Sequence, residues 1–349
     1  MTTDSPLPLR ERVTLPSARV GRGESSSLPE GSPLPARAAR HSSGQSPRAG
    51  SLPERERVLA RPSYWPFVLP AVGVVGSVIV FPWIFTIWMS LHEWQVGGAR
   101  SFAGLSNYGR LATDPRFAQA VGHTLVYTFL AVLLPLVLGT VAALVFQRRF
   151  PFRGVLRGIF VMPMMATPVA IALVWTMMFH PQLGVLNYLL SLVGIGPQAW
   201  VFHPGSVIPS LVLVETWQWT PLVMLIVLGG LAAIPAEPYE SAAIDGATAY
   251  QQFRFITLPM IAPFLMVAVI IRTIDALKSF DIIYAITQGG PGTASETINL
   301  YLYSVAFAYY DVGYGSAIAV VFFALVVALS LLMLHLRQRT KWTELGTAT

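Results

Sequence analysis

The chain has 349 residues, of which 54% are hydrophobic and only 11% charged; soluble domains average roughly 25% charged, so the composition is that of a membrane protein. It contains no cysteine, which excludes disulfides, thiolate nucleophiles and cysteine metal sites, and its six histidines lie scattered without metal-ligand spacing, so neither metal nor cofactor is implied. The formal charge of +6 does not indicate nucleic acid, because the basic residues sit in the N-terminal tail and in short loops beside apolar runs.

Residues 1–61 are rich in Pro, Ser, Gly and Arg and lack any apolar run able to build a core, so a disordered tail is expected there. The first apolar run starts too late and is too long for a signal peptide, and is expected to stay as an anchor. Runs long enough for membrane helices follow at 67–90, 124–146, 159–179, 207–230, 264–287 and 315–336, within a membrane domain of 62–341 and before a short tail, 342–349. The fold class expected is therefore all-α and polytopic, with six spans. Arg55, Arg57, Arg61, Arg148, Arg149, Arg153, Arg157, Arg254, Arg337, Arg339 and Lys341 fall on one set of flanks, against Arg100, Arg110 and Arg116 on the other. This bias puts both termini in the cytoplasm, in a plasma (inner) membrane.

Between the fourth and fifth spans lies a polar stretch, 240–263. Two helix-forming pieces, 239–244 and 249–257, flank Asp245 and Gly246. Gly246 accepts a positive φ at no steric cost, so the chain can reverse there and present a short helix-turn-helix knob. Pro235 and Pro238 close the span before it, and Pro259 and Pro263 mark the start of the next. Glu240 falls in the first turn of the first piece, where a carboxylate suits the unpaired amides.

Charges within spans are costly and usually face a cavity, a partner or one another. Span five carries Arg272, Asp275, Lys278 and Asp281 in alternating sign at i, i+3 spacing, which allows pairing along the helix itself. On span four, Glu215, Gln218, Trp219 and Leu222 share one helical face. A carboxylate, an amide and an indole suit a sugar: hydrogen bonds for hydroxyls and an aromatic plate for the apolar ring face. Counting from Pro263 puts Arg272 about 14 Å deep, and counting from Leu231 puts Trp219 near 18 Å and Glu215 near 24 Å. A Glu215 pair with Lys278 or Arg272 that merely joins the helices is an equal alternative to solute contact.

The order Glu240-Ser241-Ala242, then Gly246, then Ile256, Leu258 and Pro259 resembles the EAA loop of permease subunits of bacterial ATP-binding-cassette importers, with Ser241 in place of an alanine. Met162-Pro163 through Trp175 to Gly184 and Asn187, Trp217-Gln218-Trp219-Thr220-Pro221 and Thr287-Gln288-Gly289-Gly290-Pro291 are similar to the carbohydrate branch, the maltose type. The resemblance implies a type I importer permease with a coupling role for Glu240, Ser241, Ala242, Asp245, Gly246, Ile256, Leu258 and Pro259. It also implies a solute path at Glu215, Gln218, Trp219 and Leu222, and at Arg272, Ala276 and Ser279. Glu215 and Arg272 depart from the uncharged side chains of that pattern, so the solute need not be a maltodextrin. The implied partners are a cytoplasmic ATPase dimer, a second homologous permease, an extracytoplasmic solute-binding protein, a small-molecule solute and membrane lipid.

The chain itself has no G-x-x-x-x-G-K-[ST] loop, so ATP hydrolysis would lie on another chain and this one would not be an enzyme. Two other classes compete. An ion-coupled secondary transporter could use Asp275 and Asp281. A membrane enzyme would have to use His203, Glu296 and Asp311, which form no recognisable catalytic set. Within the importer class, a glycerophosphodiester is the alternative to a sugar or polyol.

Overall fold

A computed structural model describes residues 64–339, with side chains through His335; the two expected tails lie outside the described residues. Helix α1, Trp65–Ser90, passes through a π step at Gly76–Val80, and none of its apolar window is buried. It meets the bundle near its end, where the Trp83 ring lies 4.0 Å from that of Phe323. A short hairpin, β1 His92–Glu93 with β2 Ser101–Phe102, leads to α2, Ser106–Thr113, and α3, Pro115–Gln147. The start of α3 is fixed by Asp114, whose carboxylate accepts from the amides of Arg116 and Phe117 while Pro115 takes the first helical position.

The third predicted span is not one straight helix. It forms α4, Arg153–Met165, and α5, Pro168–Met178, whose axes differ by 99°. Pro168 pushes the residue before it out of the α region, and Ala166 and Thr167 are extended. Helix α6, Val185–Leu192, then α7, Pro204–Ala232, and α8, Glu237–Ile244, follow.

The fifth span also departs from expectation. It starts at Ala249 rather than near Phe264, because the second piece of the knob runs without interruption into it as α9, Ala249–Leu277. A π step at Phe253–Thr257 precedes Pro259, and prolines are tolerated in membrane helices where neighbouring groups re-satisfy the backbone. The helix stops at Leu277, and a separate α10, Asp281–Thr287, takes up the remainder. Helix α11, Ile298–Ala308, and α12, Val312–Arg339, complete the described chain. Among the described residues, five helices are long and apolar enough to cross a membrane, or six if the bent pair counts as one span.

Helices α3 and α7 pack along each other and hold α9 beside them. Small residues set the spacing: a Cβ added at Gly139 would lie 2.7 Å from that of Val223, and one at Gly230 would lie 2.7 Å from the Phe264 ring. Lipid tails are as apolar as leucine, so such close backbone approach, rather than exclusion from water, is what favours association. One buried cluster, with Ala143, Val223, Met224, Val227, Leu231, Ile261 and Ala268, joins α3, α7 and α9 towards the end carrying α8. A second, with Tyr127, Ile171, Trp175, Leu211, Ala276 and Leu300, fills the other half.

Candidate functional site

At one end of the bundle, α8 and the start of α9 form the predicted knob. Gly246 is in the left-handed region at φ +73°, and the amide of Ala247 donates to the carbonyl of Ala242 at 2.9 Å to close the turn. Thr248 then caps α9 through a reciprocal pair with Gln251. The Tyr239 and Thr257 hydroxyls lie 2.9 Å apart, tying α8 to the root of α9. Glu237 and Glu240 occupy the first turn of α8, whose cap residue, Ala236, offers no side-chain acceptor for the first amides. Glu240, Ser241, Asp245 and Gly246 are exposed and Ala242 is half-buried, while Ile256 and Leu258 are partly covered and Pro259 is exposed at the root. Three large apolar side chains also stand in the open: Ile244 is 88% exposed, Tyr250 73% and Phe255 71%. None of the three was singled out by the sequence reading, although their place on a polar loop was the available signal.

The predicted path residues are brought together only in part. Arg272 on α9 donates to Glu215 on α7 at 2.5 Å, with both side chains buried, and its guanidinium lies 4.8 Å from the Trp219 ring centroid. Pairing along the fifth span, expected for most of its charges, survives only as a loose Lys278–Asp275 contact at 3.8 Å. Arg272 turns instead to the neighbouring helix, and Asp281 starts α10 beyond the break at Lys278–Phe280. The counted depths had set Arg272 about 10 Å nearer the knob than Glu215; the ion pair puts the two side-chain ends level.

Tyr127 of α3, which sequence reasoning missed, completes the cluster. Its hydroxyl donates to the second Glu215 oxygen at 3.1 Å and lies 3.1 Å from the Ser279 hydroxyl. A tyrosine inside an otherwise apolar run was the signal. Two Arg272 donors, Nε and Nη1, and the Gln218 Oε1 are buried with no partner among the described residues. Beside them opens a cavity of about 370 Å³ lined by Pro168, Glu215, Trp219, Asp275, Lys278, Ser279, Phe280, Asp281 and Ile282. Ala276 does not line it, being buried in the apolar cluster, and neither Gln218 nor Leu222 is among its walls. The shared face on α7 thus splits: Glu215 and Trp219 reach the cavity, and the other two do not.

At the far end, the three candidates for an enzyme are engaged in structure. Asp311 accepts from Arg110 at 2.8 Å, Glu296 forms a two-pronged pair with Arg116 at 2.7 and 2.8 Å, and His203 caps α7 through the amide of Gly205. Asp114 accepts from the Tyr301 and Tyr314 hydroxyls at 2.6 and 2.5 Å. Burial raises the Asp114 carboxyl, but those bonds and the two backbone amides more than offset it and hold it below the ordinary value of 3.8.

A multi-span helical subunit with an exposed knob at one end and a charged, ring-lined cavity within its bundle is a membrane translocation subunit. The chain belongs to the family described as binding-protein-dependent transport system inner membrane component, whose model matches residues 116–342. It is 40% identical over 271 residues to the trehalose/maltose transport system permease protein MalF of Thermococcus litoralis, covering 76% of this chain and 90% of that one. It is 33% identical over 270 residues to the sulfoquinovosyl glycerol transport system permease protein SmoG of Agrobacterium fabrum, covering 76% and 87%. The fold matches a chain in the crystal structure of a bacterial alginate ABC transporter in complex with an alginate-pentasaccharide-bound periplasmic protein. There the TM-score is 0.69 at 21% identity, over 80% of this chain and 95% of that one. As an ABC importer permease it is a multi-pass inner-membrane protein, works with an ATPase and a solute-binding protein, and is not itself an enzyme.

Proposed function

We propose that this chain is one of two homologous permease subunits enclosing the path of an ATP-driven importer for a sugar or a related polyol or oligosaccharide. The observation that carries the reading is that the knob and Arg272 lie on one helix: α9 begins in the knob at Ala249 and carries Arg272, 23 residues or about 35 Å further on. Closure of an ATPase dimer on the knob, whose apolar tip is Ile244, Tyr250 and Phe255, moves α9 and with it the cavity wall.

The sugar class draws on the maltose and sulfoquinovosyl glycerol relatives and on the cavity's chemistry. Glu215 and Lys278 offer charged hydrogen-bonding groups, and Trp219 and Phe280 offer ring faces. One subunit has too few helices to enclose a sugar, so a second permease completes the wall, with lipid around the exposed α1. The knob end faces the cytoplasm by the arginine bias.

The test is Gly246→Val in the reconstituted importer with its binding protein. An added Cβ meets nothing within 4 Å, so any loss in the free subunit comes from the positive φ alone. The spans should insert and the binding protein should hold solute, while solute-stimulated ATP hydrolysis and retention of the ATPase are lost. Wild-type coupling in that variant would remove the docking assignment.

A further inference from the structure

Next to the knob, the loop between α3 and α4 is built around arginines. Phe150 rests on Phe146, which rests on Phe160, with ring centroids 5.9 and 5.6 Å apart, and this fixes the turn out of α3. The Arg153 Nη1 reaches back to the carbonyls of Gln147 and Arg148 at 3.4 and 3.5 Å, which brings a second guanidinium to the Arg148 backbone. Arg148, Arg149, Arg153 and Arg157 make no ion pair among the described residues.

Helix α4 has the composition of an element lying in a membrane surface. Arg153 and Arg157 share one side at i, i+4, while Phe152, Val155, Leu156 and Ile159 are exposed on another. At 99° to each other, α4 and α5 cannot both run along the membrane normal, and α4 is the half whose residues suit the interface. A cavity of about 520 Å³ opens at this place. Its walls include Gln147 and Arg148 from the end of α3, Tyr239 from α8, and Gln252, Phe253 and Thr257 from the root of α9; Arg153 is not a wall residue but stands beside the cavity, against the Gln147 and Arg148 carbonyls. Such a volume lies within the roughly 300–1,000 Å³ of small-ligand sites.

We propose that this cavity takes the phosphate headgroup of an anionic phospholipid, held by Arg148 in its wall and by Arg153 beside it, with α4 lying in the same leaflet. The headgroup sits between the end of α3 and the Tyr239–Thr257 tie, so it braces the knob from the membrane side, and coupling to the ATPase depends on it. The inference rests on the cytoplasmic placement of the knob end.

The experiment uses the complete importer, with ATPase and binding protein, in nanodiscs of phosphatidylcholine alone or with phosphatidylglycerol. Retained phosphatidylglycerol is counted by native mass spectrometry, and binding-protein-stimulated ATP hydrolysis is measured alongside. Each arginine at an anionic surface is worth about fivefold in affinity, so Arg148→Gln with Arg153→Gln should lower retention about 25-fold. Arg148→Lys should keep most of it. Wild-type hydrolysis should rise severalfold with phosphatidylglycerol, and the double variant should not respond.

Unchanged retention in the double variant would overturn the proposal. So would an equal loss of hydrolysis in discs without phosphatidylglycerol, which would mean that the arginines meet the ATPase instead. Rescue of phosphatidylcholine discs by inorganic phosphate would assign the site to a free anion and overturn the lipid as its source. A cysteine at Ser241 labelled only from the outside would refute the topology, and wild-type coupling in Gly246→Val would refute knob docking; neither result alters what lipid retention reports.

Discussion

The Glu215–Arg272 pair decides what the middle of the bundle tolerates. Removing one partner leaves an uncompensated buried charge, an effect of about 3–5 kcal/mol, whereas replacing both by apolar residues of similar volume is often near neutral. Glu215→Leu or Arg272→Leu alone should therefore lower the melting temperature in detergent sharply. The double replacement should recover most of it yet still fail to transport, since the cavity has lost the carboxylate on its α7 wall. If the double variant transports normally, the pair only joins α7 to α9. Asp114 offers a test at the opposite end. Its folded pKa lies below 3.8, so the stability it confers is complete above the ordinary aspartate value and is lost as pH falls through the lowered one. Asp114→Asn should lower the melting temperature at neutral pH, where the charged bonds are lost, and flatten the acid limb of stability measured by thermal unfolding from pH 5 downward.

At the scale of elements, the crossings of α3 with α7 and α7 with α9 rest on glycine. Gly139→Leu drives a side chain into Val223, whose Cβ would already lie 2.7 Å from an added Cβ, and overpacking of this kind costs about 1–3 kcal/mol. The expected result is a less stable bundle with its spans inserted, read by melting temperature and protease accessibility. Tyr239→Phe removes only the hydroxyl tie to Thr257. A net loss of about 0.5–1.5 kcal/mol is expected, with weakened but measurable ATPase retention in a pull-down from detergent. Much of this layer could be read from the sequence. Five of the six expected runs do become long apolar helices, and the reversal at Gly246 follows from its lack of a Cβ. Two of the misreadings share a source: proline marks where a helix loses a donor, and the surroundings decide whether it breaks. Pro168 breaks the third span into a right-angled pair, while Pro259 and Pro263 ride inside α9. The Arg272–Glu215 pair was open because spacing along one helix says nothing of its rotation against another, and Tyr127 could join the cluster only once α3 was placed.

For the whole molecule, the prediction is dependence on other chains. Purified alone in liposomes, the subunit should move no solute whatever ion gradient is imposed, and uptake should require the ATPase, the binding protein and a second permease together. Uptake driven by a proton or sodium gradient without ATPase would restore the carrier reading of Asp275 and Asp281. The unbroken course of α9 has one more consequence, for length rather than chemistry. A helix turns about 100° per residue and rises 1.5 Å, so deleting a single residue between Pro263 and Arg272 would swing the guanidinium a quarter-turn or more away from Glu215 while leaving the knob and the cavity residues chemically intact. A substitution along this segment leaves that phase unchanged, but an insertion or deletion there would disconnect two sound sites, as a gear with one tooth removed no longer meshes with its neighbour.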